Sequence, residues 1–274
     1  MRTDVDSDVE AYLIEAALTY GSPSPDSVPP LRCGIDLGTD TVVIAVVDAD
    51  GRPVFHESRK CEAVRDGVVV DFAGAGAATR TLVAAATAAL GVPIGAATAA
   101  FPPGVSEADA RACRYVLESA GLECIGLVDE VTAAQALLQV HDGIVVDVGG
   151  GSTGVGSFRD GELVRLGDLP GGGHHLDLIL AGALHLPLAE AEVEKRRDPD
   201  NHLAILKPGV EKIAANVATL MDPSVDGPVY LTGGALMIKG AERVVAAYLD
   251  REVVRPSNAL LVTPFGIALS TPTT

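Results

Sequence analysis

The chain has 274 residues, of which 48% are hydrophobic and 21% are charged. This composition is typical of a folded globular protein and excludes an intrinsically disordered chain. The 37 acidic residues outnumber the 20 basic ones, which gives a formal net charge of −17. Nucleic acid is therefore not an expected partner, because binding its phosphates needs a basic face. The simplest interpretation of the acidity is that it serves solubility.

Several sequence features favour a cytoplasmic protein without a membrane segment. The four cysteines form neither a CxxC pair nor another metal-binding spacing, so we expect reduced and mostly buried thiols. The acidic amino terminus does not have the basic start of a secretory signal. The uncharged stretch 81–103 is interrupted by Pro93, so we expect a helix end, a turn and a buried strand there rather than a membrane span.

The first predicted element is a helix from Asp8 to Tyr20, because residues 7–10 have the sequence of a capping box. The proline-rich stretch 22–30 predicts an extended linker. Residues 1–30 would therefore form an amphipathic helix and a linker. Two interpretations remain open, since such a helix can dock on a partner or pack against its own domain.

Strands and helices alternate through the rest of the chain, which indicates an α/β protein with mixed sheets. Outside the two hairpins described below, strands are predicted at 68–72, 96–101, 124–128 and 229–231. Helices are predicted at 77–90, 106–120, 131–140, 174–184, 189–196, 208–221 and 238–250, with a short final helix at 263–270. The expected domains are a first lobe at 31–141, a second lobe at 142–258, and a segment at 259–274 that returns to the first lobe.

Two segments about 110 residues apart carry the same pattern. Residues 34–54 read GIDLGTDTVVIAVVDADGRPV, and residues 143–164 read GIVVDVGGGSTGVGSFRDGELV. Each contains an apolar strand with an aspartate, a glycine-rich turn with hydroxyl residues, a second apolar strand and an Asp-Gly turn. A duplication with this period predicts two homologous lobes. Two facing copies of a carboxylate and an amide-rich turn would form a cleft for a metal-bound polyphosphate.

The residue types of the two turns suit phosphate binding. Glycine lets backbone N–H groups turn toward an anion without interference from a Cβ atom, and hydroxyl groups add donors. The glycines are Gly38, Gly149, Gly150 and Gly151, and the hydroxyl residues are Thr39, Thr41, Ser152 and Thr153. Asp36 and Asp147 would repel phosphate unless a hydrated Mg²⁺ lay between. For a single loop, a β-hairpin whose glycines serve the turn is an equal alternative, but two matched copies favour the phosphate site.

The chain resembles the superfamily of actin, Hsp70 and the sugar kinases and, within it, the EutJ family of ethanolamine utilization proteins. The resemblance is carried by CGIDLGTDTVV, VRDGVVVDF, AATAAFPPG, VLESAGLE, VDEVTAA, GIVVDVGGGSTG, GGGHHLDLILAGAL, EAEVEKRRDP and VTPFGIA. It implies an α/β protein with the actin-like ATPase fold, in which two duplicated ribonuclease-H-like lobes surround a nucleotide cleft. The implied cofactors are ATP or ADP and Mg²⁺.

The resemblance also implies roles for matching residues. Asp36 and Asp147 would hold Mg²⁺ through water, and Glu130 would position the attacking water, so these three are the expected catalytic residues. The expected nucleotide-binding residues are Gly38, Thr39, Asp40, Thr41, Gly149, Gly150, Gly151, Ser152, Thr153, Gly171, Gly172, Gly173, Glu192, Lys195, Gly233, Gly234 and Ala235. A purely structural role suits three of these residues equally well. Glu130 favours a helix start, and Glu192 with Lys195 could form a surface ion pair.

Two further positions bear on activity. The proline that follows the glutamate in Hsp70-like proteins is Val131 here, so slow ATP hydrolysis and ATP binding alone both remain open. His174 and His175 are adjacent at a predicted helix start, with no cysteine nearby to supply a third metal ligand. A nucleotide-facing or packing role for the two histidines is therefore favoured over a metal site.

Three functions are compatible with this resemblance. The first is an ATP-binding, chaperone-type protein whose client is an enzyme of the bacterial microcompartment, such as ethanolamine ammonia-lyase. The second is a nucleotide-binding scaffold or filament subunit without significant hydrolysis. The third is a small-molecule kinase, which is less favoured because little chain remains to build an acceptor pocket. The expected location is the cytoplasm, in possible association with a microcompartment.

Overall fold

A computed structural model of the chain describes residues 5–65 and 68–272, and the chain divides into two compact units. Lobe one comprises the chain up to Gln139 together with the segment from Pro256 onward, and lobe two runs from Val140 to Arg255. Lobe two is thus one continuous insertion within lobe one. The division lies at 140 and 256, against the expected boundaries of 142 and 259.

Lobe one contains a five-stranded sheet, a two-stranded hairpin and five α-helices within the described residues. The strands are β1 (Arg32–Leu37), β2 (Thr41–Val47), β3 (Pro53–Lys60), β4 (Val64–Arg65), β5 (Val68–Val69), β6 (Ala96–Phe101) and β7 (Glu123–Asp129). The helices are α1 (Val5–Ala17), α2 (Phe72–Leu90), α3 (Glu107–Ser119), α4 (Glu130–Leu138) and α9 (Val262–Leu269), the last preceded by a 3₁₀ turn at Ala259–Leu261.

Lobe two has a five-stranded sheet and four α-helices within the described residues. The strands are β8 (Gly143–Val148), β9 (Ser152–Arg159), β10 (Glu162–Pro170), β11 (Val229–Thr232) and β12 (Val253–Val254). The helices are α5 (Gly173–Leu184), α6 (Leu188–Arg197), α7 (Leu203–Leu220) and α8 (Ala241–Leu249), with a 3₁₀ turn at Pro199–His202. Within these ranges, every helix is too short or too polar to cross a membrane.

The two large sheets repeat one topology. The strand order is β3-β2-β1-β6-β7 in lobe one and β10-β9-β8-β11-β12 in lobe two. In each, the first three strands are antiparallel and the last three are parallel. The carboxyl ends of the parallel strands meet at one edge of each sheet, and there Asp36 and Asp147 lie next to the glycine-rich turns. The sequence duplication is therefore a duplication of architecture.

Helices cover both faces of the lobe one sheet. On one face, α2 and α3 pack on apolar residues such as Ile35 and Ala99. On the other face, α4 and α9 lie close together, and Ala133, Ala100 and Ile267 form a small core cluster. Strands buried on both faces read as continuous apolar runs, which is why TVVIAVV does not alternate with polar residues. In lobe two, α5, α7 and α8 build the corresponding core on β8 and β11.

The amino-terminal helix packs on lobe one. Leu13 and Ala16 of α1 are fully buried. The chain that follows runs along the edge of β3, where the His56 N–H donates to the Thr19 carbonyl and the Ser24 N–H donates to the Val54 carbonyl. Residues 22–30 contain no helix or strand, in line with the predicted linker. The amino-terminal segment is therefore part of the lobe, and it covers a sheet edge that would otherwise be open.

Four predicted helix starts were wrong. Helix α8 begins at Ala241, three residues after the expected start at 238. Helix α1 already includes Val5, so the proposed capping box lies inside it. Helix α2 begins at Phe72, at the end of a predicted strand, because the Asp71 carboxylate accepts the N–H of Gly74 and caps the helix. Helix α7 begins at Leu203 and contains Pro208.

The four cysteines are free, and three of them are buried. Burial raises the pKa of Cys33 and Cys113 to about 12 and also raises the pKa of Cys124. We expect an aromatic disulfide reagent at about pH 8 to modify Cys61 quickly in the folded protein and the other three only after unfolding. Absorbance of the released thiolate measures both phases. Replacement of Cys61 by serine should remove the fast phase; fast reaction of a second thiol would contradict the expectation.

Candidate functional site

The turn between β1 and β2, residues 38–40, is called loop one here. Asp36 lies opposite Val43 on β2 and is half-buried. The turn is tight at Gly38, since a Cβ atom there would lie 2.8 Å from the Thr41 carbonyl oxygen. The Asp40 carbonyl accepts the N–H of Cys61 at 2.9 Å, which fixes the loop to the chain that leaves β3. Loop one thus holds a carboxylate beside a short glycine turn.

The turn between β8 and β9, residues 149–151, is called loop two. Its three carbonyl oxygens accept hydrogen bonds from a second glycine-rich segment. The N–H groups of Gly173, His174 and Gly171 donate to the carbonyls of Gly149, Gly150 and Gly151, respectively, each at 2.9 Å. In the described part of the chain, no backbone carbonyl accepts the N–H of Gly150 or Gly151. Loop two therefore has its carbonyls occupied and two amides available for an anion.

Close packing of glycines holds this arrangement. A Cβ atom at Gly172 would lie 2.3 Å from the Gly149 carbonyl oxygen. Gly233 has a φ of +81°, and a Cβ atom there would lie 2.5 Å from Asp147 Oδ1. The Ala235 N–H donates to the Val148 carbonyl at 3.2 Å. In lobe two the structure thus brings together the buried carboxylate Asp147, loop two, the 171–173 segment and the 233–235 turn.

Some predicted phosphate donors have other partners. Thr153 is fully buried and donates its hydroxyl proton to the Gly171 carbonyl at 2.5 Å, so this proton already has a protein acceptor. The amides of Gly171 and Gly173 are likewise taken up by loop two. The 171–173 segment therefore supports loop two through hydrogen bonds, and Thr153 in turn supports that segment. Sequence inspection did not distinguish these supporting groups from groups that can face a ligand.

Glu130 is the first residue of α4. The side chain that caps the helix is that of its neighbour Asp129, whose carboxylate accepts the N–H of Thr132 at 2.9 Å. Burial is the main cause of the raised pKa of Cys113, and the carboxylates of Glu130 and Asp36 raise it further. Both carboxylates therefore lie near the same thiol, at the carboxyl edge of the lobe one sheet. Val131 is fully buried, so its position is set by core packing.

Glu192 and Lys195 have different surroundings, although both lie on α6. Glu192 forms an ion pair with Arg196, at 2.8 Å, as surface residues one helical turn apart commonly do. The Lys195 side chain is only 11% exposed, and its Nζ atom lies 2.7 Å from Asp177 Oδ1. The surface interpretation of Lys195 was therefore wrong. Asp177 was missed altogether, although an isolated acidic residue in the apolar helix LDLILAGAL was a signal for a buried partner.

A direct protein metal site is not formed by the predicted acids. Among the described residues, three side chains of metal-binding type have ligand atoms within 4.8 Å of one another. They are His141, Asp142 and Asp160, and all three are exposed. Neither Asp36 nor Asp147 belongs to such a group. The His174 and His175 rings are 6.4 Å apart between centroids and pack edge to face. Single carboxylates suit a cation that is held mainly by water and phosphate.

Known proteins similar to this chain have the same architecture. A family model described as MreB/Mbl protein matches residues 56–182. Ethanolamine utilization protein EutJ of Salmonella typhimurium is 38% identical over 256 residues, which cover 93% of this chain and 90% of that protein. The crystal structure of EutJ from Carboxydothermus hydrogenoformans has a TM-score of 0.90 and 37% identity, and the match covers 97% of this chain and 99% of that one.

More distant structures extend the comparison to the fold alone. MreB 5 of Spiroplasma citri, bound to AMPPNP, has a TM-score of 0.69 at 17% identity over 87% of this chain and 95% of that one. Together with the duplicated sheet topology, these similarities confirm the predicted actin-like fold.

Proposed function

This chain belongs to the EutJ family of ethanolamine utilization proteins, and on that basis we propose that it binds an adenine nucleotide with Mg²⁺ and acts as a chaperone-type protein on an enzyme of that pathway. The client would be a microcompartment enzyme such as ethanolamine ammonia-lyase, and the protein would work in the cytoplasm in association with the microcompartment. The observation that carries the nucleotide proposal is loop two, which has two available amides beside the buried Asp147.

The anion expected at loop two is a phosphate chain. Unpaired amides on consecutive glycines form a concave donor surface that suits phosphate oxygens. Loop one repeats the aspartate and the glycine turn in lobe one, so each lobe carries its own copy of this structural unit. The structurally similar MreB 5 was solved with the nucleotide analogue AMPPNP. These features support ATP or ADP as the ligand.

Asp36 and Asp147 fit a magnesium site of the hydrated type. Each supplies carboxylate oxygens, the ligand that Mg²⁺ prefers, and neither lies in a compact cluster of protein ligands. Bound there, Mg²⁺ would neutralise phosphate charge that the two carboxylates alone would repel. Glu130 would orient water near the nucleotide, and the amides of Gly150 and Gly151 would stabilise phosphate oxygens.

A chaperone role requires that the nucleotide changes the affinity for the client. Bound nucleotide would favour one conformation of the protein, and a client that binds this conformation more tightly would respond to the nucleotide. We expect ATP with Mg²⁺ to change the affinity for a purified pathway enzyme, such as ethanolamine ammonia-lyase, by at least about fivefold, the lower end of usual allosteric coupling. Biolayer interferometry with and without nucleotide measures this. Equal affinity in both conditions would contradict the chaperone proposal, and nucleotide-dependent sedimentation would favour a scaffold or filament.

The nucleotide proposal is tested by isothermal calorimetry of ATP in the presence of Mg²⁺. We expect Asp36→Ala and Asp147→Ala each to weaken Mg-ATP binding by at least about tenfold, because each removes a carboxylate that holds the hydrated cation. Asp26→Ala removes the same charge from an exposed turn of the amino-terminal segment and should bind as the wild type does. Phosphate release from the same samples separates hydrolysis from binding alone. Absence of binding in folded wild-type protein would refute the proposal.

A further inference from the structure

Lys195 forms a buried ion pair with Asp177. Its Nζ atom is 2.7 Å from Asp177 Oδ1 on α5, and the two side chains are 11% and 5% exposed. The same ammonium donates to the Gly173 carbonyl at 2.9 Å. Lys195 thus joins α6 to the first two turns of α5 through one charged acceptor, Asp177, and one neutral acceptor, the Gly173 carbonyl.

The first turn of α5 is in turn bonded to loop two. The N–H of Gly173 donates to the Gly149 carbonyl, and the N–H of His174 donates to the Gly150 carbonyl. Gly173 is therefore held on both sides, because it receives Lys195 at its carbonyl and gives its N–H to loop two. A hydrogen bond to a charged donor is stronger than a neutral one, so Lys195 strengthens this connection.

The orientation of loop two follows from the connection. With the carbonyls of residues 149–151 directed to the 171–174 segment, the N–H groups of Gly150 and Gly151 are left for an external acceptor. If Lys195 turned away to contact a nucleoside, Asp177 would remain buried without this partner. Separating a buried ion pair is strongly unfavourable.

We propose that Lys195 is a positioning residue that, through Asp177 and Gly173, holds loop two in its phosphate-binding orientation, and that it does not contact the nucleoside. This inference rests on the proposed nucleotide site and deepens it. It assigns Lys195 to recognition of the phosphate chain, whereas the family resemblance implies contact with the nucleoside. The assignment predicts which part of the nucleotide loses affinity when Lys195 is replaced.

The test compares three ligands by calorimetry: ADP, inorganic tripolyphosphate and adenosine, with Mg²⁺ present. In Lys195→Met, the affinities for ADP and tripolyphosphate should fall by a similar factor of about ten or more, and adenosine binding should not change. Loss of affinity for ADP and adenosine with unchanged tripolyphosphate binding would overturn the inference. Lys207→Met is the matched control, because Lys207 pairs with Glu211 on the exposed face of α7.

A second variant covers the risk that Lys195→Met does not fold. Lys195→Met combined with Asp177→Leu replaces the buried pair with apolar side chains, which is often tolerated. This double variant should fold and show the same selective loss for phosphate-bearing ligands. Wild-type affinity for tripolyphosphate in the folded double variant would overturn the inference.

Hydrogen exchange makes the test independent of nucleotide. Without ligand, the amides of Gly173 and His174 should exchange at least about tenfold faster in the double variant than in wild type, while amides in β8 keep their protection. Unchanged exchange at both amides would contradict the positioning role. If wild-type protein binds neither ADP nor tripolyphosphate, the proposed function fails, and the exchange result still decides whether Lys195 controls the segment.

Discussion

Replacing Gly266 with alanine is expected to destabilise the protein by at least about 3 kcal/mol, at the upper end of typical overpacking costs. Helix α9 crosses α4 so closely at this position that an added Cβ atom would lie 1.9 Å from the Ala133 carbonyl oxygen. The obstructing atom belongs to the helix backbone, so no side-chain rotation can relieve the overlap. Separating the helices would open the small core formed by Ala133, Ala100 and Ile267.

Chemical denaturation of wild type and Gly266→Ala measures this effect, and Gly182→Ala is the matched control. Gly182 lies within α5, and a Cβ atom there would meet nothing within 4 Å. The same substitution at that site should stabilise the protein by about 0.5–1 kcal/mol, because alanine favours helix. A Gly266→Ala protein as stable as wild type would show that the two helices separate at little cost.

Acid is expected to weaken the packing of the amino-terminal segment through His56. The ring is 5% exposed and stacks edge to face with Tyr20 and Phe265. The Thr19 hydroxyl donates its proton to the Ala16 carbonyl, so its oxygen accepts a hydrogen bond from His56 Nδ1–H. Burial lowers the pKa of His56 from 6.5 to about 4. The folded protein thus favours the neutral ring.

The sign of the effect follows from these two pKa values. Between pH 6.5 and 4 the unfolded chain binds a proton that the folded chain does not, so stability falls as the pH falls. The contribution is complete above about pH 6.5 and is lost by about pH 4, for a total of about 3 kcal/mol. Urea unfolding of wild type and His56→Leu at several pH values separates the contribution of His56 to stability from that of the carboxylates. Parallel pH profiles for the two proteins would contradict this assignment.

Sequence reasoning worked best where the signal was local. The paired hairpins follow from apolar runs, a glycine turn and an Asp-Gly turn within about twenty residues, and both copies have the expected strands. The start of α2 was missed because the run VVVDF has strong strand propensity, while the cap depends on one carboxylate at Asp71. The start of α7 was missed because Pro208 usually marks a first turn. Burial of Leu206 and packing of Leu203 extend the helix before it.

In the candidate site, too, the features with a local sequence signal were predicted and the contacts between distant residues were not. Loop one, loop two and both aspartates were predicted from their motifs, because such turns need glycine and hydroxyl residues in a fixed order. The partners that hold loop two were not predictable. Asp177 and Asn216 act over long sequence separations, the first on Lys195 and the second by donating to the Pro170 carbonyl. Contacts of this kind depend on how the helices pack, and a local sequence pattern does not predict that packing.

The discontinuity of lobe one has a consequence for synthesis on the ribosome. All of lobe two is translated before α9, so its continuous segment can fold while the carboxy terminus is still being made. Helix α9 packs on β1 as well as α4, and Gly34 on β1 leaves room for the backbone of Ala268. The first lobe to emerge is therefore the last to be completed. A chain that ends before residue 262 keeps α4 on this face of the sheet but leaves exposed the surface of β1 that α9 covers, where chaperones and proteases can bind.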